Sequence, residues 1–149
     1  MTLQSDIAAA LKDAMRAKDK RATSSLRLLL TAMKRREKEL RRPLEDKEIV
    51  KVIATQIKQR REAIEQYRLA ERQDLAAVEE EELTILSRFM PEQLSEEELA
   101  RELDEIIAHV GATGPKDMGK VMKAAMAKLA GRADGARVNA LVKSKLTAK

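Results

Sequence analysis

At 149 residues the chain has room for one compact domain or two small ones, and a hydrophobic content of 44% is enough to build real cores. One Phe, one Tyr and no Trp make those cores aliphatic and leave no platform for stacking single-stranded bases, while the lack of Cys excludes disulfides, thiolate nucleophiles and thiolate metal sites. The net charge of +5 is unevenly placed: residues 91–110 carry seven acids against Arg101, or −6, and residues 111–149 carry nine Lys or Arg against Asp117 and Asp134, or +7.

Residues 1–110 contain no glycine, as expected of long helices, because glycine costs about 1 kcal/mol relative to alanine inside one. Ser5 is positioned to cap a first helix with Ile7, Leu11 and Met15 on its core face, closing near Lys18-Asp19-Lys20-Arg21. A second helix runs to about Leu40 with Leu26, Leu29, Leu30 and Met33 inward, and Arg41-Arg42-Pro43 ends it, since a residue before proline is pushed out of the helical region. From Asp46 a long third helix spaces Ile49, Ile53, Ile57, Ile64 and Tyr67 mostly by three, four or seven. A fourth, from about Asp74, carries Leu75, Val78, Leu86 and Phe89 and stops before Pro91.

The boundary falls at Phe89-Met90-Pro91-Glu92-Gln93-Leu94, so the expected fold is all-α, an N-terminal domain of about four helices over 1–90 and a three-helix domain over 91–149. In the second part, Ser95 and Glu98 have capping-box spacing ahead of a helix with Leu99, Leu103, Ile106 and Val110 inward, which Gly111 ends. The loop Ala112-Thr113-Gly114 leads through Pro115 to a helix striped by Met118, Met122, Ala125 and Leu129 and closed by Gly131. Asp134 caps the last helix, with Val138, Leu141, Val142 and Leu146 as its apolar positions.

At 100° per residue, the helix beginning near Lys116 separates its apolar stripe from Lys116, Lys120 and Lys123. Arg132 and Arg137 extend this positive face, a pattern suited to phosphate contacts on RNA rather than to base reading. Gly119 lies within the same helix, where a glycine needs a reason: close crossing of another helix, or close approach of an RNA backbone. A second basic cluster, Lys34-Arg35-Arg36-Glu37-Lys38 with Arg41 and Arg42, is backed by Lys58, Arg60 and Arg61 and reads as a solvated face or a protein-partner contact.

Chemistry is harder to find. The acids of Glu79-Glu80-Glu81-Glu82 and Glu96-Glu97-Glu98 diverge around their helices, with no histidine beside them to complete a carboxylate-histidine set, so no metal is expected. His109 reads as a helix-terminal residue interacting with the last carbonyls, and Ser24, Ser25, Ser87 and Ser144 have no recognisable base. The glycine spacings fit neither common nucleotide loop. We expect no catalytic residue and no cofactor. The longest apolar runs fall short of a membrane span, and the charged, amphipathic start does not read as a signal peptide, so the expected setting is the cytoplasm.

The chain resembles the YqeY-like family (GatB/YqeY), whose members are similar to the tail domain of the GatB subunit of the glutamine-dependent aminoacyl-tRNA amidotransferase. The resemblance rests on Lys58-Gln59-Arg60-Arg61 through Ile64 and Tyr67, on Arg72-Gln73-Asp74-Leu75 and Glu82-Leu83, and on Pro91-Glu92-Gln93-Leu94-Ser95. In the tail it rests on Asp117-Met118-Gly119-Lys120-Val121-Met122 and Gly131-Arg132-Ala133-Asp134-Gly135. In the family a glycine often precedes the arginine at position 72, where Glu71 stands, and a Tyr-Leu pair commonly precedes the boundary proline, where Phe89-Met90 stands; both departures conserve helical character. The resemblance implies a non-catalytic module binding tRNA or a tRNA-linked enzyme through its tail. A label such as carbon-nitrogen ligase with glutamine as amido-N-donor would be inherited from the larger enzyme. A protein-interaction adaptor working through the N-terminal helices, or an accessory role in tRNA-dependent amidation, are the alternative readings.

Overall fold

A computed structural model of the protein describes residues 2–148, and every regular element among them is helical. The chain packs as two compact units, Met1–Met90 and Pro91–Lys149.

The first unit contains α1 (Leu3–Arg16), α2 (Lys20–Leu40), α3 (Asp46–Leu69) and α4 (Gln73–Ser87). Ile7, Leu26, Leu29, Met33, Ile49, Ile53 and Leu86 form the buried centre, as the three-to-four spacing predicts. The cap of α1 differs from expectation. Thr2, not Ser5, is the N-cap: its Oγ1 accepts the Ser5 N–H at 3.1 Å, and Ser5 Oγ donates to the Thr2 carbonyl at 2.8 Å. Tertiary contact selects the earlier start, because Leu3 then packs on the core and its N–H donates to Asp46 Oδ1 of α3 at 3.2 Å.

Met15 also departs from its expected place, being 49% exposed while Ala14 is buried. The turn from α1 to α2 is tight, with Asp19 N–H donating to the Ala14 carbonyl at 2.9 Å, and only the small side chains of Ala14 and Ala22 fit inside it. The longer Met15 is left outside.

The turn between α3 and α4 corrects the reading of Glu71 as helical. Its φ is +58°, in the left-handed region, and the Arg72 N–H closes the turn on the Tyr67 carbonyl at 2.8 Å. A side chain with a Cβ is strained there by about 1 kcal/mol, which glycine avoids. Glu71→Gly is therefore expected to raise unfolding stability by about 0.5–1 kcal/mol, read as a shift in the urea midpoint. An unchanged or lowered midpoint would refute the strain. Phe89 and Met90 likewise lie in a turn beyond α4 rather than in a helix, yet both still pack on the core.

The acidic run of α4 is paired with arginines, and Glu79 and Glu82 are largely withdrawn from solvent. Arg60 of α3 reaches Glu79 at 3.2 Å and Glu82 at 3.0 Å, Arg21 of α2 pairs with Glu81 at 3.4 Å, and Arg68 of α3 pairs with Glu80. Four successive acids thus tie one helix to two neighbours. Arg42, after α2, clamps Glu48 of α3 through two bonds of 2.6 and 2.9 Å, and Glu48 Oε1 also accepts the Glu45 N–H at 3.0 Å. The hydrogen bonds from Arg42, more than its charge, lower the Glu48 carboxyl from 4.5 to about 2.

Because the folded-state value of Glu48 lies below the unfolded one, the clamp stabilises the fold above about pH 4.5, and that contribution is lost as pH falls through about 2. The stability difference between the wild type and Glu48→Gln should shrink across this window in pH-dependent urea unfolding. A difference independent of pH would sink this assignment.

The second unit contains α5 (Glu96–Val110), a short 3-10 turn (Pro115–Asp117), α6 (Met118–Lys128) and α7 (Gly135–Thr147). Its core joins Leu99, Leu103 and Ile106 of α5 to Val121 and Ala125 of α6 and Val138, Val142 and Leu146 of α7. Ser95 and Glu98 form the expected capping box, and Asp134 caps α7 through Ala136 N–H at 3.3 Å. The segment before α5 is fastened to the loop between α6 and α7: Leu94 N–H donates to the Arg132 carbonyl at 2.8 Å, and Gln93 Nε2 to the Gly131 carbonyl at 2.6 Å.

Candidate nucleic-acid interface

The acidic helix and the basic tail of this unit meet through three cations. Lys128 reaches Glu102 at 3.1 Å and Glu105 at 3.7 Å, Lys145 reaches Asp104 at 2.6 Å, and Arg137 reaches Glu96 at 2.6 Å. The −6 and +7 segments are neighbours in space, and three of the tail's nine cations, Lys128, Arg137 and Lys145, are paired within the bundle.

This sorts the expected site residues. Lys116, Lys120 and Lys123 are exposed and form no ion pair among the described residues, and Gly119 is exposed between them. They share a side of α6 and its leading turn because Val121 and Ala125 face the core. Arg132 and Arg137 are placed differently. Arg132 Nε donates to the Glu92 carbonyl at 3.3 Å and Arg137 holds Glu96, so both tie the entry of α5 to the start of α7.

Asp117 shapes the approach to the lysines, a role its sequence position did not reveal. Its carboxylate accepts the Thr113 N–H at 2.9 Å, while its own N–H donates to the Gly114 carbonyl at 3.0 Å. The Thr113 N–H, with smaller help from Gly114 and Lys120, holds the carboxyl below its ordinary range. Turned back onto the loop, Asp117 does not cap α6, and no side chain does. The 3-10 turn Pro115–Asp117 runs directly into α6, and the Met118 N–H donates to the Pro115 carbonyl.

A Cβ built on Gly119 meets nothing within 4 Å, so close helix crossing does not explain it. Its surroundings are open because it sits in the exposed first turn of α6, on the side opposite Val121.

The other candidates disperse. In the first unit's basic cluster, Arg35 and Arg36 pair with Glu39, Arg42 with Glu48, and Arg60 points into the interface of α3 and α4 rather than backing an outer face. His109 is exposed in the last turn of α5, but the carbonyls there are taken by backbone: Gly111 N–H donates to Ala108 at 3.3 Å and Ala112 N–H to Ile107 at 3.1 Å. No group of three or more carboxylate or histidine side chains converges among the described residues. None of the described helices is long and apolar enough to cross a membrane.

Comparison with known proteins identifies relatives of the chain. Residues 4–146 match the family described as Yqey-like protein. The chain belongs to the YqeY-like family. An uncharacterised protein of Schizosaccharomyces pombe is 37% identical over 93 residues, covering 62% of this chain and 76% of the yeast protein. In the glutamyl-tRNA(Gln) amidotransferase of Thermococcus gammatolerans, the E-type subunit is 47% identical over 57 residues, 36% of this chain and only 9% of that relative. This member of the YqeY-like family is thus related to a small part of an amidotransferase subunit, and its helices agree with the all-α class expected from the resemblance.

Proposed function

We propose that this YqeY-like protein is a non-catalytic, cytoplasmic RNA-docking module, and that tRNA is its natural ligand class. The observation carrying the proposal is the set Lys116, Lys120 and Lys123, left unpaired among the described residues while Lys128, Arg137 and Lys145 are neutralised within the bundle. Three exposed ammonium groups on one side of the helix suit the phosphate backbone, and the aliphatic composition offers no stacking surface for sequence reading. Relation to a small part of an enzyme named for glutamyl-tRNA(Gln) points to tRNA. Arg132 and Arg137 serve chiefly to hold the loop that frames this face, and Gly119 lets the ligand backbone approach α6.

Titration with tRNA at several salt concentrations tests the proposal, with log affinity expected to fall linearly with log salt. No measurable affinity at low salt would overturn it. Gly119→Ala separates the two explanations for the glycine: it should stabilise α6 by up to about 1 kcal/mol while weakening tRNA binding. Full retention of affinity in a folded Gly119→Ala protein would show that close approach is not its purpose.

A further inference from the structure

We propose that the elbow between α1 and α2 is a docking groove for an acidic amphipathic helix of a partner protein. The elbow excludes Met15 from the core and leaves it 49% exposed, as is Leu28 of α2. Both line one open depression of about 660 Å³. Lys18, Lys20 and Arg27 line it too, and no carboxylate does.

Lys18, Lys20 and Arg27 form no ion pair among the described residues, whereas the neighbouring Arg21 is held by Glu81. Asp19, between the two lysines, caps α2, its Oδ1 accepting the Ala22 N–H at 3.0 Å. The unsatisfied chemistry is therefore a pair of aliphatic anchors ringed by cations. Its complement is a helix with apolar residues one turn apart, flanked by Asp or Glu. RNA would use the cations but gain nothing from Met15 and Leu28, which cannot stack with bases.

The test uses the full chain labelled at methionine methyl groups and a synthetic acidic amphipathic peptide as probe. Its controls are a scrambled peptide of equal composition, a version with Gln for every Glu, anionic phospholipid vesicles, and tRNA. The amphipathic peptide should shift the Met15 methyl resonance saturably and leave Met118 and Met122 unmoved. Arg27→Glu or Lys20→Glu should weaken binding about tenfold, and Leu28→Gln by a similar factor. These positions are exposed, and thermal unfolding of each variant verifies that the fold is retained. Absence of a saturable shift, equal binding of the scrambled peptide, or tighter binding of vesicles or tRNA at Met15 would each overturn the proposal.

Discussion

Replacing Lys116, Lys120 and Lys123 together by glutamate is expected to lower tRNA affinity by about 10²–10³ at low salt and to flatten the salt dependence. Each phosphate contact contributes about 0.7–0.9 to the slope of log affinity against log salt, so losing three removes about 2.1–2.7. The fold should survive, because all three side chains are exposed and none forms an ion pair among the described residues. Lys128→Glu provides the contrast. It places a new carboxylate beside Glu102 and Glu105 and should reduce stability, with less effect on the salt slope. Fluorescence anisotropy across a salt series, with urea unfolding of the same proteins, separates the two outcomes. If the triple variant retains its affinity and slope, the lysine face is not the docking surface.

Arg60→Ala is expected to destabilise the first unit by about 2–4 kcal/mol. The guanidinium is the shared partner of Glu79 and Glu82, and the three side chains keep only 21%, 15% and 12% of their exposure. Its removal leaves two carboxylates facing each other in a poorly hydrated interface. That cost exceeds the 0–1 kcal/mol typical of exposed pairs, while residual exposure keeps it below that of a fully buried ion. Arg60→Ala combined with Glu79→Gln and Glu82→Gln should recover a large part of the loss. Urea unfolding checks both steps, and a loss under about 0.5 kcal/mol for the single variant would mean that the trio acts as ordinary surface charge.

The Arg60 trio also marks where sequence reading loses reach. Composition and spacing place the helices and most of the core, since Ile7, Leu29, Met33, Ile53, Leu99, Leu103 and Val138 all recur on faces that periodicity defines. Charges have no comparable period. Arg60 and Glu79 lie 19 positions apart, and Arg137 and Glu96 lie 41 apart, so neither pairing is visible until the helices pack. A basic run and an acidic run in one chain can each meet solvent, a partner or one another.

Local chemistry by itself determined that this chain is helical, that helices end near Pro43, Pro91 and Gly111, and that lysines gather on one side of α6 and its leading turn. Helix propensity, capping by Ser95 and Asp134, and apolar spacing act within a few residues, so sequence contains them. Only the tertiary structure decided which cations remain available. Packing α5 against α6 and α7 neutralises Lys128, Arg137 and Lys145 and leaves Lys116, Lys120 and Lys123 free among the described residues, while the tight α1–α2 elbow turns Met15 outward. Coulomb attraction and close packing depend on distance in space, which residues far apart in the chain acquire only on folding.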